Sequence, residues 1–118
     1  MTSNRKILHP TIARIWRGRT TRAKADTYAR YLYDVGIAPL AEKALGVHML
    51  REDRADETEF VTISYWESVE AMSRFAGPDP WRIHHLERDP EFLFEMPEGV
   101  QVLEIVAALG DTGGEHSP

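Results

Sequence analysis

The chain has 118 residues, room for one domain with one core, and a formal net charge of −5, which leaves no basic footprint for a nucleic-acid partner. It has no cysteine, which excludes disulfides, thiolate metal sites and a cysteine nucleophile and fits the reducing cytosol. No apolar run approaches the roughly 20 residues of a membrane span, and MTSNRKILHP lacks the apolar stretch of a signal peptide, so a cytoplasmic protein without a membrane partner is expected.

Residues 1–10 are polar, end in Pro10 and read as a flexible arm. Residues 109–118 are rich in glycine and polar side chains and read as a disordered tail. Residues 11–108 show neither repeat nor linker and form one unit. Thr11 to Arg19 reads as the first strand, with Ile12, Arg14 and Trp16 on one face and Ala13, Ile15 and Arg17 on the other. The cluster Arg14, Arg17, Arg19, Arg22 and Lys24 reads as a solvated strand end and helix start. Thr20 or Thr21 caps a helix whose apolar stripe is Ala25, Tyr28, Leu32 and Val35; Gly36 is its stop, and Pro39 bars its continuation.

Val47 to Arg54 and Glu59 to Trp66 read as a second and third strand, joined by a polar turn into an antiparallel hairpin. Ser68 caps a short second helix with Val69, Met72 and Phe75 as its buried stripe, and Gly77, Pro78 and Pro80 break it. A turn or short helix over Trp81 to Arg88 precedes Asp89-Pro90, and Val100 to Ala108 reads as the last strand. The order is βαββαβ: an α+β, ferredoxin-like domain whose four-stranded antiparallel sheet carries its helices on one face.

Both faces of that sheet are apolar. Phe60 and Trp66 oppose Val61, Ile63 and Tyr65; Val100, Val102 and Val106 oppose Leu103 and Ile105; Ile12 and Trp16 oppose Ala13 and Ile15. Two helices cover one face. Leaving the large side chains of the other in water forgoes about 1.5–3 kcal/mol each. A second copy packed sheet against sheet covers them, and the expectation is a homodimer. A loop drawn from residues 77–99 is the other candidate cover.

The runs TIARIWRGRT and ISYWESVEAMSRFAG, and within the latter Trp66, Ser68, Glu70 and Ala71, resemble the antibiotic biosynthesis monooxygenase (ABM) family of the dimeric α+β barrel superfamily over residues 11–108. The resemblance implies a homodimer of stacked sheets with a pocket between each sheet and its own helices. Some members oxidise aromatic substrates with molecular oxygen and no cofactor; others bind and degrade heme. The fold recognises a scaffold, and function belongs to the site.

Trp66 suits a wall for a flat aromatic ligand and equally a core aromatic under the second helix. Arg14, on the face of Ile12 and Trp16, either meets an anion or reaches solvent along its apolar stem. The heme-degrading relatives carry an asparagine in the first strand where this chain offers Ile15 and Trp16. Counting from Ser68, His85 falls where those relatives carry an iron-binding histidine and Phe75 where they carry a tryptophan; a neutral imidazole there is an axial ligand or a base near neutral pH. Trp81 shares a face with His85 if the segment is helical. Neighbouring His84 points about 100° away from His85 on a helix, so the two do not chelate one metal. His48, opposite in facing to Val47 and Met49, looks into the pocket or the dimer seam, and Tyr65 faces the seam.

The first expectation is a monooxygenase without cofactor or metal, acting on an aromatic or polyketide-like molecule. His85 or His48 would be its base, Arg14 the anion stabiliser, and Trp16, Trp66, Trp81 and Phe75 the aromatic walls. The alternatives are a heme-binding protein with His85 as axial ligand and a non-catalytic dimeric binding module.

Overall fold

The computed structural model describes residues 9–77, 79, 81–82 and 85–110. Most of the expected arm and tail, His84, Pro78 and Pro80 lie outside the described residues. The strands are β1 (Ile12–Thr21), β2 (Gly46–Asp53), β3 (Glu57–Trp66) and β4 (Gln101–Glu104). They form one antiparallel sheet in the order β2-β3-β1-β4, with the helices packed on one face. This is the ferredoxin-like arrangement read from the alternating β-branched and aromatic runs.

Helix α1 (Arg22–Tyr31) starts where Thr21 leaves extended backbone and its hydroxyl accepts the Lys24 N–H at 3.2 Å. The helix does not stop at Gly36. It passes through a π-helical stretch, Leu32–Ile37, into α2 (Ala38–Ala41), and so runs past Pro39. The reason lies in the hydrogen bonds. The Ala38 N–H reaches back five residues to the Tyr33 carbonyl, and the wider turn seats Pro39 at the first turn of α2, where a missing N–H costs little. The wide turn also rotates the apolar stripe. Val35, expected inside, is exposed, while Ile37 and Leu40 are buried.

The core on this face is aromatic. The Tyr28 ring meets Phe60 edge-on at 5.5 Å and lies 5.2 Å from Phe92. Tyr28, Phe60 and Met72 are wholly buried, each contributing about 1.5–3 kcal/mol of apolar burial. Helix α3 (Val69–Ala76) opens on Ser68, whose hydroxyl accepts the Ala71 N–H at 3.1 Å, and closes on Gly77 at φ 89°, a conformation that favours glycine. Its buried residues are Met72 and Ala76; Val69 and Phe75, expected in the stripe, are partly exposed.

Trp81 does not share a helical face with His85, because residues 81–82 and 85–88 are turn and loop. Asp79 takes up the local donors: its carboxylate accepts the Trp81 N–H and its carbonyl the Arg82 N–H. A helix unforeseen in the sequence, α4 (Asp89–Phe92), follows with Pro90 in its first turn. Leu93 then bridges to Thr20, and the Phe94 N–H donates to the Arg19 carbonyl, so this segment borders the upper end of β1 while β4 borders its start.

Strand β4 is shorter than the expected Val100 to Ala108. In its register Glu104 faces Ile12, so Val106 would face Pro10, which has no N–H to offer. The last bond of the ladder runs from the Ile105 N–H to the Thr11 carbonyl at 2.8 Å. None of the helices is long and apolar enough to cross a membrane among the described residues.

Candidate functional site

Register decides which side chains look under the helices. Arg14 lies opposite Ser64 and Trp16 opposite Thr62, all four on the helix-covered face. Above them sit Leu32, Gly36 and Ile37 of the π stretch, Leu40 of α2, Phe75 of α3, Leu86 of the loop before α4 and Asp89 at the start of α4. These residues enclose a cavity of about 130 Å³ open at one side. A hole of about 150 Å³ takes one benzene ring, whereas drug-sized ligands need about 300–1,000 Å³.

The walls are mainly apolar, with four polar side chains: Arg14, Thr62, Ser64 and Asp89. The Arg14 guanidinium donates to the Arg82 carbonyl at 3.0 Å, and burial pulls its pKa down from the usual arginine value. Ser64 accepts the indole N–H of Trp66 at 2.9 Å. Asp89 is 2% exposed. One carboxylate oxygen accepts the Tyr28 hydroxyl at 2.9 Å and the other the Leu86 N–H at 3.1 Å. Burial pushes the Asp89 carboxyl above its ordinary value, against the opposing pull of these two bonds and of His85. Burial and the neighbouring carboxylate likewise raise Tyr28, which keeps its proton.

Thr62 is 7% exposed, and its buried hydroxyl oxygen has no hydrogen-bond partner. Leaving such a group unsatisfied costs about 1–3 kcal/mol. That oxygen is sealed from the cavity, so the polar groups that face a ligand there are those of the other three side chains.

Arg14, Trp16 and Phe75, all read as site residues from the sequence, meet in this cavity. The others lie elsewhere. Trp66 is buried and turns toward a neighbouring open groove of about 500 Å³, which it lines with Phe75, Lys43 and Arg74; its ring stacks on Phe75 at 5.5 Å. Trp81 is 52% exposed, and its carbonyl accepts the Val100 N–H. His85 is exposed, one residue before the cavity wall at Leu86. His48 is on the opposite face of the sheet, exposed, its Nδ1 sharing a 3.0 Å hydrogen bond with the Tyr65 hydroxyl. Among the described residues, no three His, Asp or Glu side chains are placed to hold a metal ion.

Asp89, Thr62 and Ser64 were not singled out in the sequence. A signal for the last two is present in it. Phe60, Thr62, Ser64 and Trp66 alternate onto one face of β3, so two hydroxyls fall in a row that otherwise fills a core. Asp89 before a proline reads as a turn, and nothing local shows that Tyr28 of α1 will reach it.

No family profile matches the chain, and no curated protein matches it. Among solved structures it is similar to one from Bacillus cereus provisionally described as an antibiotic biosynthesis monooxygenase, with a TM-score of 0.62 at 13% identity, covering 87% of this chain and 100% of that one. At that identity the likeness speaks for the scaffold. The chain has an antibiotic biosynthesis monooxygenase-like fold, a ferredoxin-like α+β sheet with its helices on one face.

Proposed function

We propose that this chain is a cytoplasmic, cofactor-independent monooxygenase that oxidises a small hydroxylated aromatic compound in the cavity between its sheet and its helices. The observation that carries this reading is the pairing of Arg14 and Asp89 in one mainly apolar, ring-sized cavity. Arg14 favours the ionised, electron-rich form of a bound hydroxylated ring. Asp89 is the titratable acid of the cavity wall, and its raised pKa suits it to accept and return a proton. It takes the base role first sought at His85 and His48. The substrate gives up two hydrogens and four electrons; one atom of O₂ enters the product as a carbonyl oxygen and the other leaves as water.

Oxygen consumption and product mass, followed with hydroxylated aromatics of one to three rings, test this. Uptake that falls at least tenfold in Arg14→Gln and Asp89→Asn is expected. Binding with no oxygen uptake across the whole panel would overturn the oxygenase reading and favour a non-catalytic binding module.

Heme fits this cavity poorly. Its volume of about 130 Å³ is well below what a macrocycle needs, and His85, the candidate axial ligand, is not among its described lining residues. A hemin titration without a Soret shift is therefore expected.

The homodimer belongs to the same proposal. On the face away from the helices, Leu50, Val61, Ile63, Ile15, Ala13 and Leu103 lie in register as neighbours across four strands. Leu50 is 47% and Leu103 46% exposed. No described helix crosses this face, and a second copy, carrying the same apolar row, is self-complementary to it.

A further inference from the structure

We infer that the open groove beside the cavity is a second binding site, one that takes an aromatic carboxylate: its ring lies against Phe75 and its carboxylate is held by Lys43 and Arg74. This goes beyond the oxygenase reading and does not rest on it, because neither Arg14 nor Asp89 lines the groove. Two observations carry it.

The first is charge. Lys43 and Arg74 line the groove against a single acid, Glu67, so the groove is net positive in a chain whose formal net charge is −5. Arg19, Arg22, Arg51, Arg54 and Arg88 are engaged with aspartates or glutamates of the chain itself. Among the described residues, neither Lys43 nor Arg74 enters such a pair. Glu70, one turn before Arg74 on α3, does not line the groove. The turn that carries Lys43 is fixed: the Lys43 N–H donates to the Leu40 carbonyl at 2.9 Å, and the Leu45 N–H donates to the Tyr65 carbonyl at 2.9 Å, docking the turn on the end of β3. An arginine fork and a lysine ammonium together suit one carboxylate.

The second is an aromatic platform secured from behind. Trp66, 2% exposed, is held by its indole N–H on Ser64, and the Phe75 ring stacks on it with 29° between the planes. Phe75 itself is 41% exposed. Ala71, one turn earlier on α3, adds only a methyl group to the same wall. The groove is open, so its volume of about 500 Å³ sets no upper limit on the ligand; what selects is a ring surface beside two cations. A hydrocarbon ring would leave both cations to water, and a carboxylate without a ring would leave Phe75 bare. An aryl carboxylate meets both.

The test is isothermal titration of the intact protein with 2-naphthoate and, as its uncharged counterpart, 2-naphthylmethanol. Saturable 2-naphthoate binding is expected, about tenfold tighter than that of the alcohol and weakened by added salt, which leaves the alcohol unaffected. Lys43→Gln combined with Arg74→Gln changes two exposed side chains and should keep the parent melting temperature. It should weaken 2-naphthoate about tenfold and leave the alcohol unchanged. Phe75→Leu should weaken both ligands. Arg14→Gln, which alters the cavity and not the groove, should leave 2-naphthoate binding as it is. Equal 2-naphthoate affinity in the parent and the double variant would overturn the assignment, as would a loss caused by Arg14→Gln in its place. Oxygen uptake bears only on the cavity, so either reading can fail while the other stands.

Discussion

The Tyr28 hydroxyl donates to Asp89 Oδ1 across 2.9 Å, joining residues 61 apart in the chain. It ties α1 to the start of α4 and so holds the side of the cavity that is not sheet. Tyr28→Phe keeps the ring against Phe60 and Phe92 and removes the donor. A loss of about 1–3 kcal/mol in urea unfolding is expected, because a buried carboxyl oxygen loses its partner. A loss no larger than that of an exposed Tyr33→Phe control would show that the bond contributes nothing.

The Asp89 carboxyl sets a pH dependence of known sign. Its folded-state pKa is raised, so the folded chain holds this proton more tightly than the unfolded chain does. Its contribution to stability is therefore greatest below the ordinary aspartate value and is lost as pH rises through the raised one. Asp53, hydrogen-bonded by Thr58 and Arg51, and Glu91, hydrogen-bonded by Arg88, are shifted down and act in the opposite sense. The difference in melting temperature between the parent and Asp89→Asn proteins isolates the one carboxyl. It should move in favour of the variant as pH is raised from 4 to 7; a flat difference would contradict the burial.

Gly18 leaves room for the Trp16 indole. A methyl group at position 18 would come within 2.5 Å of Trp16 Cη2 and 3.3 Å of Leu93 Cδ2. Gly18→Ala should therefore force Trp16 out of its present rotamer, cost about 1–3 kcal/mol and blue-shift or quench tryptophan emission. Unchanged emission and stability would mean that the ring yields without cost.

The uncovered sheet face yields a mass. Sedimentation at micromolar concentration should give twice 13.5 kDa for the parent chain. Ile63→Asp, which puts a charge in the middle of the apolar row, should give the single mass with the secondary structure retained. A parent protein that is already monomeric would remove the homodimer from the proposal.

The fold was legible because its strands are dense in β-branched and aromatic residues and its two main helices carry hydroxyl caps at Thr21 and Ser68. What escaped has a physical pattern. Val35 was placed inside by a 3.6-residue period that the Leu32–Ile37 stretch does not keep. The end of β4 depends on Pro10, a residue some ninety positions away, and Asp89 becomes a site residue only through Tyr28. Of the cavity, the sheet wall could be read from alternation in β1, which brought Arg14 and Trp16 together. Of the helical wall, assembled from four separate segments, only Phe75 could be read.

The wide turn before Pro39 amounts to one surplus residue wound into an otherwise ordinary helix. The wider winding absorbs that surplus, so a single continuous rod offers Tyr28 to the aromatic core at one end and Leu40 to Trp66 and Met72 at the other, whereas uniform α-helical winding of the same residues would turn the two about 120° apart. Deleting Asp34, which is exposed, should rewind the rod as an ordinary α-helix with Leu40 still aimed at its cluster and leave the melting temperature close to that of Asp34→Ala, whereas deleting a residue from the α-helical part, such as Arg30, should lower it well beyond that. A lineage could gain or lose that one residue within this stretch and keep the roof of its cavity, whereas the same change in an α-helical turn would swing every later side chain by about 100°.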